Sequence, residues 1–481
     1  MRVFGKNTLW LLLDRAGLKV GAMLAGLVLL GYLGPANVGI YSTAIAVGCV
    51  LNALLDLGLT RYAARAVAAD RSEARPVLAL SLASTGVALV IEVCAALIAH
   101  RIGNWYWACL FAGFIFTNLD GTASALGGVL SADLRSRAVL PGSVLNALGV
   151  VCVIALVVKL RLSVLALLVG LAVKSSAVLL FRLWQLRSLW PAAWRYFKPR
   201  AFAALARRAR VFFSYSLTQM GYEKVAIVSF ALVAGRDQVG LFSSALLIAG
   251  LFPSFTYAAS DALLPVMTRL YEDGRISDLQ ELRRRLLNLL LYLSVPAGIT
   301  LAVFAHGVCG VLGERFLLAA PILSITASRS VLSVLDNFLG QAGLTAVARV
   351  RERRDAQFAG FLLCAGLTLV LGANWGTRGA AIATLLADLL IVAQYFRIFQ
   401  RIGLPVECPA LWTALAAGTV MTLACFLLPH SRWDLSATLA AMAYIATLGV
   451  VAPRGLAEGA ATFRQCFLPA RPIPLSNGTA P

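Results

Sequence analysis

Residues 31–61 read GYLGPANVGIYSTAIAVGCVLNALLDLGLTR, and residues 232–269 read LVAGRDQVGLFSSALLIAGLFPSFTYAASDALLPVMTR. The core VGIYSTA at 38–44 aligns with VGLFSSA at 239–245. Each copy follows one apolar run and opens the next. The two lie about 200 residues and six runs apart, as two duplicated six-helix lobes in the same orientation require. Parallel repeats of this kind are related by an axis along the membrane normal.

The composition around these copies belongs in a bilayer. Of 481 residues, 60% are hydrophobic and 13% charged, and the mean hydropathy is +0.83. Soluble domains carry about 25% charged residues. Apolar runs of about 18–25 residues recur along the chain, enough to cross about 30 Å of hydrocarbon as helix. They fall near 8–31, 39–60, 76–98, 105–130, 139–158, 162–184, 211–233, 239–266, 286–305, 316–345, 357–373, 379–397, 409–428 and 436–453. The expected fold is an all-α integral membrane protein of about fourteen transmembrane helices. Its units are an N-lobe at 1–190 (spans 1–6), a cytoplasmic interfacial linker at 191–210 and a C-lobe at 211–400 (spans 7–12), followed by spans 13 and 14 at 401–455, outside the repeat, and a disordered tail at 456–481.

Local features refine this plan. The stretch AAWRYFKPRAFAALARRAR at 192–210 mixes Trp194, Tyr196, Phe197 and Phe202 with basic residues, a pattern that predicts a helix lying on the membrane surface. Spans 239–266 and 316–345 are long enough to hold a turn or break, with Pro253 and Pro265 as candidate kinks in the first. Asp14, Arg15 and Lys19 interrupt the first apolar run, so it reads as a helix and not as a cleaved signal.

The formal net charge of +20 is carried by clusters between spans. With the N-terminus inside, about 30 Lys and Arg face the cytoplasm and about 7 the other side, the bias that cytoplasmic loops show. An even number of spans then leaves both termini cytoplasmic. This layout, without an aromatic-basic sheet motif or zinc spacing, speaks against nucleic acid as a partner. None of the nine cysteines forms a CxxC pair, and His100, His306 and His430 are isolated, so no metal site is expected. GxxxxGK[ST], HExxH and GxSxG are absent, which excludes a self-contained ATPase and the commonest hydrolase sites.

Several of these residues resemble the polysaccharide (Wzx-type) oligosaccharide flippase family of the MOP (MATE-like) exporter superfamily. The resemblance is carried by Gly34-Pro35-x-x-Val38-Gly39-Ile40-Tyr41, Asp56-Leu57-Gly58-Leu59, Val239-Gly240-Leu241-Phe242-Ser243, Leu264-Pro265 and Gly376-x-x-Gly379-Ala380-Ala381. It implies two six-helix bundles flanking a central cavity, worked by alternating access. It also implies a polyprenyl-diphosphate-linked glycan as cargo and a bacterial inner membrane as location.

Ionisable side chains at mid-bilayer depth are costly and so mark candidate function. Lys19, Lys174, Lys224 and Arg329 fall near the middle of spans 1, 6, 7 and 10, and Arg15 lies one turn from Lys19 on the same helix face. These five are the candidate substrate-binding residues, because dense phosphate charge suits Lys and Arg donors. The competing reading pairs them with carboxylates, for which Asp14, Glu92, Asp120, Glu223, Asp261, Asp336 and Asp388 are available. Asp120, Glu223 and Asp388 are the deepest acids and the candidates for binding a coupling H+ or Na+, against a purely structural salt bridge. Asn118, Asn146, Asn337 and Gln341 suit sugar hydroxyls or interhelical hydrogen bonds equally.

The expected function is a secondary transporter, not an enzyme, that flips a lipid-linked oligosaccharide to the outer leaflet for surface or exopolysaccharide assembly. Its expected partners are that glycan, membrane lipid and glycan polymerase or assembly proteins; beyond a coupling ion it needs no cofactor. The rivals are a MATE-like drug or cation exporter, which requires an acidic cavity, and a membrane glycan ligase or glycosyltransferase, which requires a catalytic group beside a long loop.

Overall fold

A computed structural model describes residues 18–59, 62, 74–132, 136–187, 199–427 and 433–452. Among the described residues every regular element is helical. The N-lobe contains α1 (Leu18–Leu55), α2 (Ala74–Arg101), α3 (Trp105–Ala132), α4 (Ser136–Lys159) and α5 (Val164–Gln185). The C-lobe contains α6 (Pro199–Val233), α7 (Arg236–Ala249), α8 (Leu251–Glu272), α9 (Ile276–Val303) and α10 (Ala305–Val311). It continues through a 3-10 turn (Glu314–Ala319), α11 (Ala320–Ala327), α12 (Arg329–Leu335), a π-helical stretch (Asp336–Leu344) and α13 (Val350–Arg401). α14 (Pro409–Leu427) and α15 (Trp433–Val451) follow. The tail at 456–481 lies outside the described residues.

By length and apolar composition, eight described helices can cross a bilayer, or nine when the bent pair Glu314–Ala327 and Arg329–Leu344 counts as one span. The sequence count of about fourteen differs for identifiable reasons. α1 and α13 are each divided by one non-helical glycine, Gly34 (φ 73°) and Gly376 (φ 58°), where loops were expected. Glycine adopts a positive φ without steric penalty, and Pro35 starts the next arm, where its missing N–H goes unused. α7 and α15 are short, and α6 and α8 are too polar for the measure.

Two local expectations need correction. Residues 199–210 are not a separate surface helix; they form the first third of α6, which continues unbroken for 35 residues, about 52 Å. No Gly or Pro interrupts 200–220, and an arginine-rich amphipathic pattern suits a helix that projects from the membrane as well as one lying on it. Residues 192–198 lie outside the described residues. The break in 239–266 falls at Gly250, between α7 and α8, and not at Pro253, which sits in the first turn of α8, where proline is tolerated. The expected break in 316–345 is present as a 40° bend at Ser328.

α1 packs on α3 within its lobe and on α6 and α7 of the other. One apolar core, including Leu33, Val38, Phe230, Phe242 and Phe316, is shared by both lobes at the Gly34 end. α14 and α15 dock outside the lobes, with Met421 and Tyr444 against Tyr292 and Val295 of α9. Val87, Val90, Ile91, Leu97, Leu180 and Val370 are exposed on the outer faces, where lipid would meet them.

The duplicated motif reappears as a contact between the lobes. A Cβ added to Gly39 would lie 1.9 Å from the carbonyl oxygen of Arg236, and one added to Gly240 would lie 1.8 Å from that of Pro35. Pro35 precedes Gly39 by four residues, and Arg236 precedes Gly240 by four, so each repeat glycine sits on the backbone of the other copy in the same way. Arg236 also stacks its guanidinium 4.5 Å from the Tyr106 ring of the N-lobe.

Candidate functional site

Among the described residues each lobe holds an ion pair between helices with one member buried, Lys174 in one and Asp388 in the other. In the N-lobe, Lys174 of α5 is 7% exposed. Its ammonium donates to Asp120 Oδ1 at 3.1 Å and Asn146 Oδ1 at 2.5 Å and lies 5.3 Å from the Phe116 ring. The Ser175 hydroxyl donates to the same Asp120 oxygen at 3.1 Å, so α3 and α5 meet at the carboxylate and α4 joins them through Asn146 at the ammonium. Gly149 clears the path for the lysine stem: a Cβ there would lie 2.5 Å from Lys174 Cγ.

In the C-lobe, Arg329 begins α12 directly after the bend. Its Nε lies 2.5 Å from Asp388 Oδ2, and its Nη2 donates to Oδ1 at 3.2 Å. The Tyr222 hydroxyl of α6 also donates to Asp388, and Tyr395 donates to Asp336 Oδ1 at 2.9 Å. A charge left alone here would be expensive, so intimate pairing with further hydrogen bonds is the arrangement that low dielectric selects.

Lys224 and Glu223, adjacent on α6, behave differently. Among the described residues neither makes an ion pair, and Glu223 is exposed, with Gln219 Nε2 donating to it at 3.2 Å. Cys49 of α1 lies in the field of Lys224, Glu223 and Asp120, which places groups of both lobes around the same interlobe space. Arg15 lies outside the described residues, and only the backbone of Lys19, in the first turn of α1, is described.

The three candidate cations with described side chains, Lys174, Lys224 and Arg329, therefore do not stand as one bare cluster. Lys174 and Arg329 are met by acids of their own lobe, across 54 and 59 residues of sequence. Asp120 and Asp388 are held in those pairs, whereas Glu223 keeps no cation. Asn146 serves Lys174, and Asn337 donates to the Pro253 carbonyl at 3.3 Å, which also accepts from the Thr256 hydroxyl at 2.8 Å. Sequence reasoning missed the hydroxyls of Tyr222 and Tyr395. Glu92, offered as a carboxylate partner for the cations, instead accepts from Asn118 Nδ2 at 3.2 Å between α2 and α3. The polar spacing Ser81, Thr85, Glu92 along one apolar span is the signal that marks it. No group of three His, Cys, Asp or Glu placed to hold a metal occurs among the described residues.

A family model described as polysaccharide biosynthesis protein matches residues 4–271. No curated protein matches the chain. Among solved structures, the lipid II flippase MurJ in an inward closed conformation superposes with a TM-score of 0.71 at 12% identity, over 95% of this chain and 100% of that one. An inward-facing multidrug resistance MATE family transporter of the MOP superfamily gives 0.55 at 16% identity, over 82% and 94%. A MATE structure in the straight conformation gives 0.55 at 15% identity, over 83% and 96%. At such identities the likeness is one of fold. The chain is a multi-pass membrane protein that belongs to the polysaccharide biosynthesis protein family.

Proposed function

We propose that the chain is a flippase that carries a polyprenyl-diphosphate-linked oligosaccharide from the cytoplasmic to the outer leaflet of a bacterial inner membrane, with both termini cytoplasmic. The observation that carries this reading is the family match over residues 4–271 on a two-lobed fold like that of a lipid II flippase. Lys224 supplies a cation that no carboxylate holds. Arg329, with its side chain 23% exposed, keeps donors free while it pairs with Asp388. A diphosphate brings more charge and more acceptor oxygens than one carboxylate and competes for the same guanidinium. Lys19, in the first turn of α1, and Arg15, which lies outside the described residues, complete the proposed anion site.

Displacing Asp388 from Arg329 would leave a buried carboxylate that must gain a proton or Na+, which links cargo to a coupling ion. Asp120 would respond alike if Lys174 turned to cargo, and Glu223 can bind an ion without breaking a pair. Export then proceeds by rocking of one lobe against the other, feeding a polymerase or other assembly protein.

Lys224→Ala, made at normal level, should lower glycan export in a strain lacking the chain by about 10- to 100-fold, the worth of one hydrogen bond to a charged group. Lys224→Arg should keep most of it. Full export by Lys19→Ala, Lys224→Ala and Arg329→Ala alike would overturn the reading.

One observation favours a second reading, a MATE-like exporter of cationic compounds: the described mid-membrane acids, Glu92, Asp120, Glu223, Asp336 and Asp388, outnumber Lys174, Lys224 and Arg329. Drug hypersensitivity of a deletion strain with intact surface glycan would support that reading.

A further inference from the structure

α2 buries Ser81, Thr85, Ala88 and Glu92 along one face, and α3, which packs against that helix, answers with Asn118, Thr122 and Ala125. Ser81, Thr85, Thr122, Asn118 and Glu92 form a polar seam inside an otherwise apolar helix pair. The Thr85 and Thr122 hydroxyls lie 2.5 Å apart, and each also reaches a carbonyl of its own helix, Thr122 that of Asn118 at 2.9 Å and Thr85 that of Ser81 at 2.7 Å, so one of the two turns its single hydrogen to the other hydroxyl. At the far end of the seam Asn118 Nδ2 donates to Glu92 Oε2 at 3.2 Å.

Glu92 is 8% exposed, while its neighbours Ile91 and Val93 face outward at 64% and 41%. Among the described residues it makes no ion pair. From α3 it meets the neutral Asn118. From α1 the titratable group is Asp56, which lies on the cavity described below and already has a partner. From α6 the residues in the same core are the apolar Leu205 and Ala209. On α2 itself the nearest charges are His100 and Arg101, about 12–14 Å along the helix. Asp120 faces Lys174 instead. An uncompensated carboxylate in such a place is far costlier than a carboxylic acid.

A small cleft between α1, α2 and α3, with room for about one water, reaches Asn118, the side chain that holds this group. Asn52, Asp56, Ser81, Thr85, Asn118 and Thr122 line it, so Asn118 both walls the cavity and holds Glu92. The Ser81 hydroxyl, on that wall, is 4% exposed and has no hydrogen-bond partner. A buried hydroxyl open on a polar cavity is a place for water.

We propose that Glu92 is a proton-binding site, served through this cavity from the Asp56 end of the N-lobe. That end is cytoplasmic in the orientation proposed above, but the site does not depend on the identity of the cargo. A proton suits the geometry better than a metal cation, because Asn118 turns an N–H toward Glu92, whereas hard cations require a shell of oxygens.

Infrared difference spectroscopy on the full chain in lipid nanodiscs tests this without any glycan. An alkaline pH jump should bleach a carboxylic C=O band that is missing in Glu92→Gln, a variant that keeps the size and the hydrogen bond to Asn118. Deuterium exchange of that band should slow about tenfold in Thr85→Val/Thr122→Val, the scale of one lost hydrogen bond. Glu92→Asp, which moves the carboxyl, should shift the band and serves if the Gln variant does not fold. An unchanged spectrum in either Glu92 variant, or bleaching by Na+ at constant pH, overturns the site; exchange unchanged in the double valine variant overturns the route.

Discussion

Gly39→Ala and Gly240→Ala should each force the lobes apart at the Gly34 end and abolish most transport. The obstacle is backbone: the new methyl would lie 1.9 Å or 1.8 Å from a carbonyl oxygen of the opposite lobe, and no rotamer relieves that. Overpacking of this kind costs about 1–3 kcal/mol, which shifts a two-state ratio about 5- to 150-fold. The cost falls only on the state in which that end is closed, so the open state gains population and cycling stops. Spin labels at Ala36 and Asp237, equivalent positions of the two repeats, should move to longer separation in both variants. Because the contact is two-fold, the two variants should agree, and the double variant should add little. Gly86→Ala is the control, since its added Cβ meets nothing within 4 Å. Native label distances together with native export in Gly39→Ala would show that this contact does not gate access.

The repeat glycines were legible in sequence, but their meeting was not. VGIYSTA and VGLFSSA announce duplicated helices; only packing shows that the two glycines seat on each other's lobe. The apolar period gave the spans and, through basic loops, an orientation. It could not separate a glycine kink from a loop: Gly34 and Gly376 carry the same residues that a turn would carry, and a positive φ serves either. Nor could it divide a separate surface helix from the first turns of the longer α6, because an arginine-rich amphipathic pattern suits either. Mid-membrane charges stood out by cost alone. Their partners did not, because Lys174 and Asp120, or Arg329 and Asp388, come from helices that no local pattern links. Glu92 was visible as an available acid, yet its significance lies in the lack of a cation, which is a property of its neighbours in space.

The pair Arg329–Asp388 separates structure from transport. Arg329→Ala leaves Asp388, 5% exposed, with only tyrosine for company, and Asp388→Ala strands the guanidinium. Breaking a buried pair on one side costs about 3–5 kcal/mol, whereas replacing both members by apolar groups of similar volume is often neutral. Thermal unfolding in detergent should therefore show a large loss in each single variant and near-native stability in Arg329→Met/Asp388→Leu. If the guanidinium also holds the diphosphate, glycan export should stay lost in the stable double variant, because no donor is left for the anion. Recovery of export with recovery of stability would make the pair a strut and leave Lys224 as the described cation on which cargo binding rests. Arg329→Lys sharpens the comparison: a point charge can neutralise Asp388 but cannot offer the two-pronged contact of guanidinium to phosphate, so it should restore folding ahead of export.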